Sequence, residues 1–403
     1  MAQVNNMFSP GKKITIQCTP ISPGLWGAPV NTTFSIPRSS SMSPRSLNNS
    51  SPVSSNCTMA SLPVQNTSNV EVWWGTPEGA IETAIFNRSP SQFAGPLTIS
   101  DTGSCLVSIS IGSTNQQIWW ITETGAIDGQ INTGNGWAPP GTGAGESIPF
   151  NVAGIASTVN GGSMASLVLE NNAGAILFWV DPKGAIGCCR WSTSSGWQAV
   201  LDALPPGTAS ATTQLSALSV GSNVYLFCVS PSGAVVGASW SNTSSAGLGP
   251  MSQFPIPSPG NAAPGGGLVS LSVSAQEIAV VWTTSRNNVE MVLLDESEPS
   301  QTVQRPITVA QSVLGGTGIA AYSTGANQCS IWWIGQASDL RRTNVDLTKF
   351  RATLTPHWPV FEDAGPGSCK KMRSLIAQKV SATQVGLLYV SANDTVAGLF
   401  YTS

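Results

Sequence analysis

A short segment of alternating small and large residues, followed by a run of bulky β-formers, recurs along the chain. The first segments are Met59–Val64, Leu106–Ile111, Met164–Leu169, Leu215–Val220, Leu268–Val273, Ile319–Thr324 and Leu375–Val380. Their starts lie 47 to 58 residues apart. The bulky runs are Val70–Trp74, Gln117–Trp120, Ile176–Trp179, Tyr225–Cys228, Ala279–Trp282, Ser330–Trp333 and Gly386–Tyr389. Apolar runs this short, rich in branched and aromatic residues, read as strands buried on both faces. A turn follows, written Gly79-Ala-Ile81, Gly125-Ala-Ile127, Gly184-Ala-Ile186 and Gly233-Ala-Val235 in the first four repeats. Glycine suits the positive φ of a tight hairpin, and the branched residue re-enters the sheet. The last three repeats lose the Gly-Ala pair.

A repeat of this length predicts one four-stranded unit per period, with neighbours stacked so that each covers the next. The expected fold is all-β, a seven-bladed β-propeller, with six blades as the alternative count. The small residues Ser61, Ser108, Ser166, Ala217, Ser270, Ala321 and Ala377 fit the crowded zone near the axis. The chain reaches Ser403 just after the third strand of the seventh unit, so an N-terminal strand is expected to close the ring. Lys12–Cys18 has the pattern for it. Residues 1–57 therefore read as an N-terminal segment carrying the closing strand and a Ser/Pro-rich excursion, and 58–403 as the repeat domain.

Composition sharpens this picture. Charged residues make up 9% of the chain against 41% hydrophobic, with 41 Gly, 28 Pro and 14 Trp. The surface is polar through hydroxyls and amides. A net charge of −3 offers no general attraction to nucleic acid. No apolar run reaches the length of a membrane span. Met1–Pro10 lacks the apolar core of a signal peptide, yet Asn-x-Ser/Thr sequons are frequent. Asn31, Asn56, Asn66, Asn242 and Asn393 are the candidate glycosylation sites. Eight Cys, without metal-ligand spacing, allow disulfides in an oxidising compartment. These features point to the secretory pathway or the exterior, with a signal segment removed. No metal or cofactor motif is present, so no cofactor is expected.

The rhythm over residues 58–403 resembles the fungal fucose-specific lectin family of β-propellers. It comprises a strand ending in two aromatics, a Gly/Asn turn, an Ile, then a strand ending near Trp. The resemblance implies a sugar-binding Arg on the second strand and a Glu on the third. The Arg positions hold Glu71, Gln117, Ile176, Tyr225, Ala279, Ser330 and Gly386. The Glu positions hold Thr83, Gly129, Cys188, Gly237, Met291, Arg342 and Gly398. No unit keeps either residue, so the resemblance supports the scaffold and argues against repeated fucose sites. Aromatic platforms remain, including Trp137, Trp191, Trp197 and Trp240.

Two functions follow. Divergent blades favour one asymmetric site for an apolar small molecule. In overall character the chain is similar to fungal hetero-Diels–Alderases of tropolone–sesquiterpene pathways. That likeness implies a cofactor-independent pericyclase, joining a dehydrated tropolone to a terpene polyene. Such chemistry needs an oriented apolar cavity and a few polarising donors. The basic cluster ahead of the seventh unit would anchor an acidic enol. Lys371 and Arg373, with the single histidine His357, are the catalytic candidates. Gln214, Trp74, Trp120, Trp333, Lys183 and Arg286 are the substrate-binding candidates. The alternative is a lectin of altered, non-fucose specificity. The expected partner is an apolar small molecule or a glycan; homo-oligomerisation stays open.

Overall fold

The computed structural model describes residues 45–46, 52–54, 58–133, 137–138, 163–258, 260–296 and 302–402, with short breaks inside the longer spans. The chain divides into two units, Met1–Ser43 and Pro44–Ser403. The first lies outside the described residues, and so does the expected closing strand at Lys12–Cys18.

Seven antiparallel sheets make up the second unit. The first blade contains Ala60–Pro63, Val70–Gly75, Ile81–Phe86 and Ala94–Ser100, in that order from the axis outwards. The following blades begin with Ser104–Ile111, Met164–Val168, Ser216–Val220, Leu268–Ser274 and Ile319–Gly325. Each of these inner strands adjoins its neighbour, and Ile376–Ser381 of the seventh blade adjoins Ala60–Pro63 of the first. The inner strands therefore run through a complete ring of seven, the larger of the two blade counts. In the seventh blade the outer position beside Val396–Thr402 is taken by Arg45–Ser46.

Period-two alternation explains why the second strands are so apolar. Successive side chains point to opposite faces, and both faces are covered by blades. Trp332 packs toward the seventh blade and Trp333 toward the fifth. Trp119 packs toward the third blade and Trp120 toward the first. The adjacent Cys188 and Cys189 also diverge, toward the fourth and second blades respectively. Cys105, Cys188, Cys189, Cys228, Cys329 and Cys369 are all buried free thiols. This corrects the disulfide expectation for the described residues. A large closed core leaves thiols as small hydrophobes with no need of staples. Burial pushes the Cys188, Cys228, Cys329 and Cys369 thiols up to about 12, so they stay unionised.

Backbone hydrogen bonds tie each blade to the next. The carbonyls of Gly184, Gly233, Asn287 and Ser338, all in second-to-third-strand turns, accept from Ala209, Ala262, Val313 and Cys369 N–H. The same bond joins the seventh blade to the segment before the first: Val53 N–H donates to Asp394 O at 2.7 Å. Nearer the axis, Met59 N–H donates to Ser374 Oγ at 2.7 Å. The inner-strand hydroxyls form a ladder, with Ser166 donating to Ser108 O and Ser108 to Ser61 O.

Candidate functional site

Two surfaces could hold a ligand: the end of the ring around the axis, and the clefts between blades. The axial end gathers the loops that open each inner strand, and most of its polar groups are already engaged. Gln214 Oε1 accepts from Leu268 N–H at 3.0 Å, and Ser163 Oγ from Leu215 N–H at 2.9 Å. Gln214, expected to bind substrate, is thus a link between the fourth and fifth blades. Lys371 is exposed at this end and lies over Gly316, where a Cβ would come 3.5 Å from Lys371 Cε. Lys371 makes no ion pair among the described residues, whereas Lys370 pairs with Asp394. Arg373 and His357 lie outside the described residues. Lys183 and Arg286 are exposed at the tips of separate turns, in the third and fifth blades. Trp74, Trp120 and Trp333 are 0%, 2% and 0% exposed. All three are core between blades, with no ring face open to a substrate. Of the glycosylation candidates, Asn393 is exposed in a turn of the seventh blade. Asn31, Asn56, Asn66 and Asn242 lie outside the described residues.

The clefts are best compared at the paired second- and third-strand positions where the lectin resemblance implies Arg and Glu. Most are sealed. Ile176 with Cys188, and Ala279 with Met291, are apolar and at most 1% exposed. At Gly237 a Cβ would run into the Phe254 ring, and at Gly398 it would lie 3.0 Å from Phe86 Cε1. Those rings occupy the space a ligand would need. Gln117 is fully buried, its oxygen taken by the Trp119 indole N–H at 3.2 Å.

Between the fourth and fifth blades Tyr225 and Asn223 donate to Glu296 at 2.7 and 2.8 Å, a closed cross-blade link. Two further clefts keep polar chemistry. Between the sixth and seventh blades, Arg342 Nε donates to Asp363 Oδ2 at 3.0 Å and its NH1 to Asn344 Oδ1 at 3.0 Å. The guanidinium carbon lies over the Phe361 and Tyr401 rings, 4.9 and 5.1 Å from their centroids. Tyr401 also donates to Asp363 at 2.7 Å. Burial and the Asp363 charge push the Tyr401 phenol up. Arg342 is thus paired on its edge and packed against two rings, a cross-blade staple with little left to offer a ligand.

The other polar cleft lies between the first and second blades. Glu71 and Thr83 share the face of Trp73, since Thr83 is paired directly with Trp73. Thr83 Oγ1 donates to Glu71 Oε1 at 3.1 Å. Trp137, on the outer strand of the second blade, reaches across and donates its indole N–H to the same carboxylate. Its ring meets Trp73 edge-on, with centroids 5.3 Å apart and planes at 82°. Glu71 and Trp137 are each half-buried, unlike the sealed Gln117 of the next cleft. Desolvation by this setting pushes the Glu71 carboxyl up, against the two hydrogen bonds that lower it. The sequence named both Glu71 and Trp137, the first only as a missing Arg and the second only as an aromatic platform.

Solved structures share the architecture. BP39L lectin from Burkholderia pseudomallei superposes with a TM-score of 0.71 at 16% identity, over 87% of this chain and 96% of that one. The fold is that of a lectin-type β-propeller. AofleA from Arthrobotrys oligospora gives a TM-score of 0.52 at 13% identity, covering 78% of this chain and 88% of its own. No family model matches the chain. No curated protein matches it either. At these identities the likeness is one of fold, and the lectin-type propeller carries its own residues in every cleft.

Proposed function

We propose that this propeller binds one small hydroxylated ligand, a carbohydrate, in the cleft between its first and second blades. The observation that carries the reading is the Glu71–Thr83–Trp137 constellation. It combines a partly open carboxylate with an aromatic ring, while the equivalent positions elsewhere are filled or stapled. A carboxylate accepts hydrogen bonds from adjacent sugar hydroxyls, and such charge-assisted bonds are about twice as strong as neutral ones. A tryptophan beside it supplies apolar area for the C–H face of the ring. BP39L is itself a lectin, and the shared scaffold is in keeping with this class of ligand. The test is a broad glycan array run with the wild type and Trp137→Ala. Sugar-competable signal lost in the variant is expected; undiminished signal would move the site elsewhere.

A second reading has one observation in its favour. Lys371, an unpaired cation at the axial end, could anchor the acidic enol of a tropolone in a cofactor-free cycloaddition. Lys371→Ala would then abolish turnover of a tropolone and a polyene terpene. Wild-type product yield from that variant, or none from the wild type, would remove this reading.

A further inference from the structure

We propose that the cleft between the first and second blades selects an amine-bearing sugar, reading its ammonium through Glu71 and the half-buried Trp137 ring. The proposal rests on the carbohydrate reading above and adds the sign of charge that the ligand carries.

The argument begins with the cost of the carboxylate. A charge removed from water is costly unless a partner of opposite sign offsets it. Glu71 receives hydrogen bonds from Thr83 and Trp137, both neutral donors. No ion pair of Glu71 occurs among the described residues, although Arg341, Arg342, Lys349, Arg351 and Lys370 all have acidic partners. The chain is sparing with charge, holding 20 acidic residues in 403, and Glu71 is half-buried with no ion pair among the described residues.

The surroundings suit a cation in a second way. The half-buried Trp137 ring stands beside the carboxylate, braced edge-on by the fully buried Trp73. The face of an indole is negative and attracts ammonium groups, most strongly where water is partly excluded. An ammonium that reaches both Glu71 and the exposed part of the Trp137 face is pulled by both. A neutral sugar would gain the hydrogen bonds alone. An acidic sugar would be repelled by Glu71.

The sixth-to-seventh cleft makes the contrast. Its guanidinium is neutralised by Asp363 and covered by Phe361 and Tyr401, so its charge is satisfied within the protein. Glu71 has no such charged partner among the described residues.

The experiment is calorimetric titration of the full chain, in mildly acidic buffer, with matched sugars. Glucosamine, galactosamine and mannosamine are each compared with the N-acetylated form, which keeps the ring and removes the charge. At least one free amine is expected to bind on the order of tenfold tighter than its acetylated partner, the worth of one favourable cation contact. Glu71→Gln keeps shape and hydrogen bonding, and is expected to erase that preference while leaving weak neutral binding. Equal affinity for amine and acetylated forms would overturn the charge selectivity and leave the carbohydrate reading standing. Absence of binding by every sugar in either form, with no signal on the glycan array, would overturn both.

Discussion

At the fourth position of each turn between second and third strands the backbone becomes left-handed. Gly79, Gly125, Gly184 and Gly233 hold it with φ between 72° and 93°, and Asn287, Ser338 and Asp394 hold it with φ of 62°, 56° and 63°. The first four turns were legible as Gly-Ala motifs; the last three were not. The conformation is the same in all seven, but Asn and Asp tolerate it through local hydrogen bonding. Serine is less well suited to it, which makes Ser338 the strained member of the set. Replacing Ser338 with Gly removes a left-handed penalty of about 1–2 kcal/mol and adds about 0.5–1 kcal/mol of unfolded-state entropy. Ser338→Gly should therefore stabilise the protein by a fraction of a kcal/mol up to about 1 kcal/mol. Chemical denaturation of the variant checks this. A lower midpoint would mean that the Ser338 side chain contributes more than the strain costs.

At the scale of the strand, the pattern showed which segments are sheet but not which side chains meet. Paired tryptophans on a strand look like a ligand platform in one dimension. Alternation sends Trp332 and Trp333 to opposite faces, and stacking closes both. Tryptophan expected in a site thus became core at Trp74, Trp120 and Trp333. Trp137 differs because it sits on the two-residue outer strand Trp137–Ala138, where the blade edge leaves its ring half-covered. Searching the register for Arg and Glu returned nothing, since the first blade carries Glu71 where Arg is implied and Thr83 where Glu is implied. A sequence comparison that asks for identity cannot see a cleft in which a carboxylate stands where a cation is implied. Gln214, expected to bind substrate, is engaged for a different reason. Its amide looked free for a ligand, but a backbone N–H from the next blade's inner strand takes it. Only the ring geometry brings those two groups together.

At the scale of the whole molecule, a ring of repeats has a choice between many equal sites and one distinct site. Equal sites yield avidity: separate weak contacts on one chain combine when the partner is multivalent. That strategy requires the same residues in every cleft, and here the paired positions run from Glu71–Thr83 through Ile176–Cys188 to Gly386–Gly398. Filling by Phe254 and Phe86, apolar pairs in the third and fifth blades, and the Arg342 staple leave Glu71 as the partly open carboxylate at these paired positions among the described residues. The stoichiometry of sugar binding should accordingly be one per chain. A monomer with one site cannot bridge two glycan-bearing surfaces, so the protein at concentrations where it is monomeric should coat sugar-bearing beads without clumping them. Calorimetry gives the site count, light scattering the oligomeric state and bead turbidity the bridging. Clumping by a demonstrated monomer would require a second site, and the clefts called sealed would then have to open. Clumping that follows the appearance of dimers would keep one site per chain and assign the avidity to assembly.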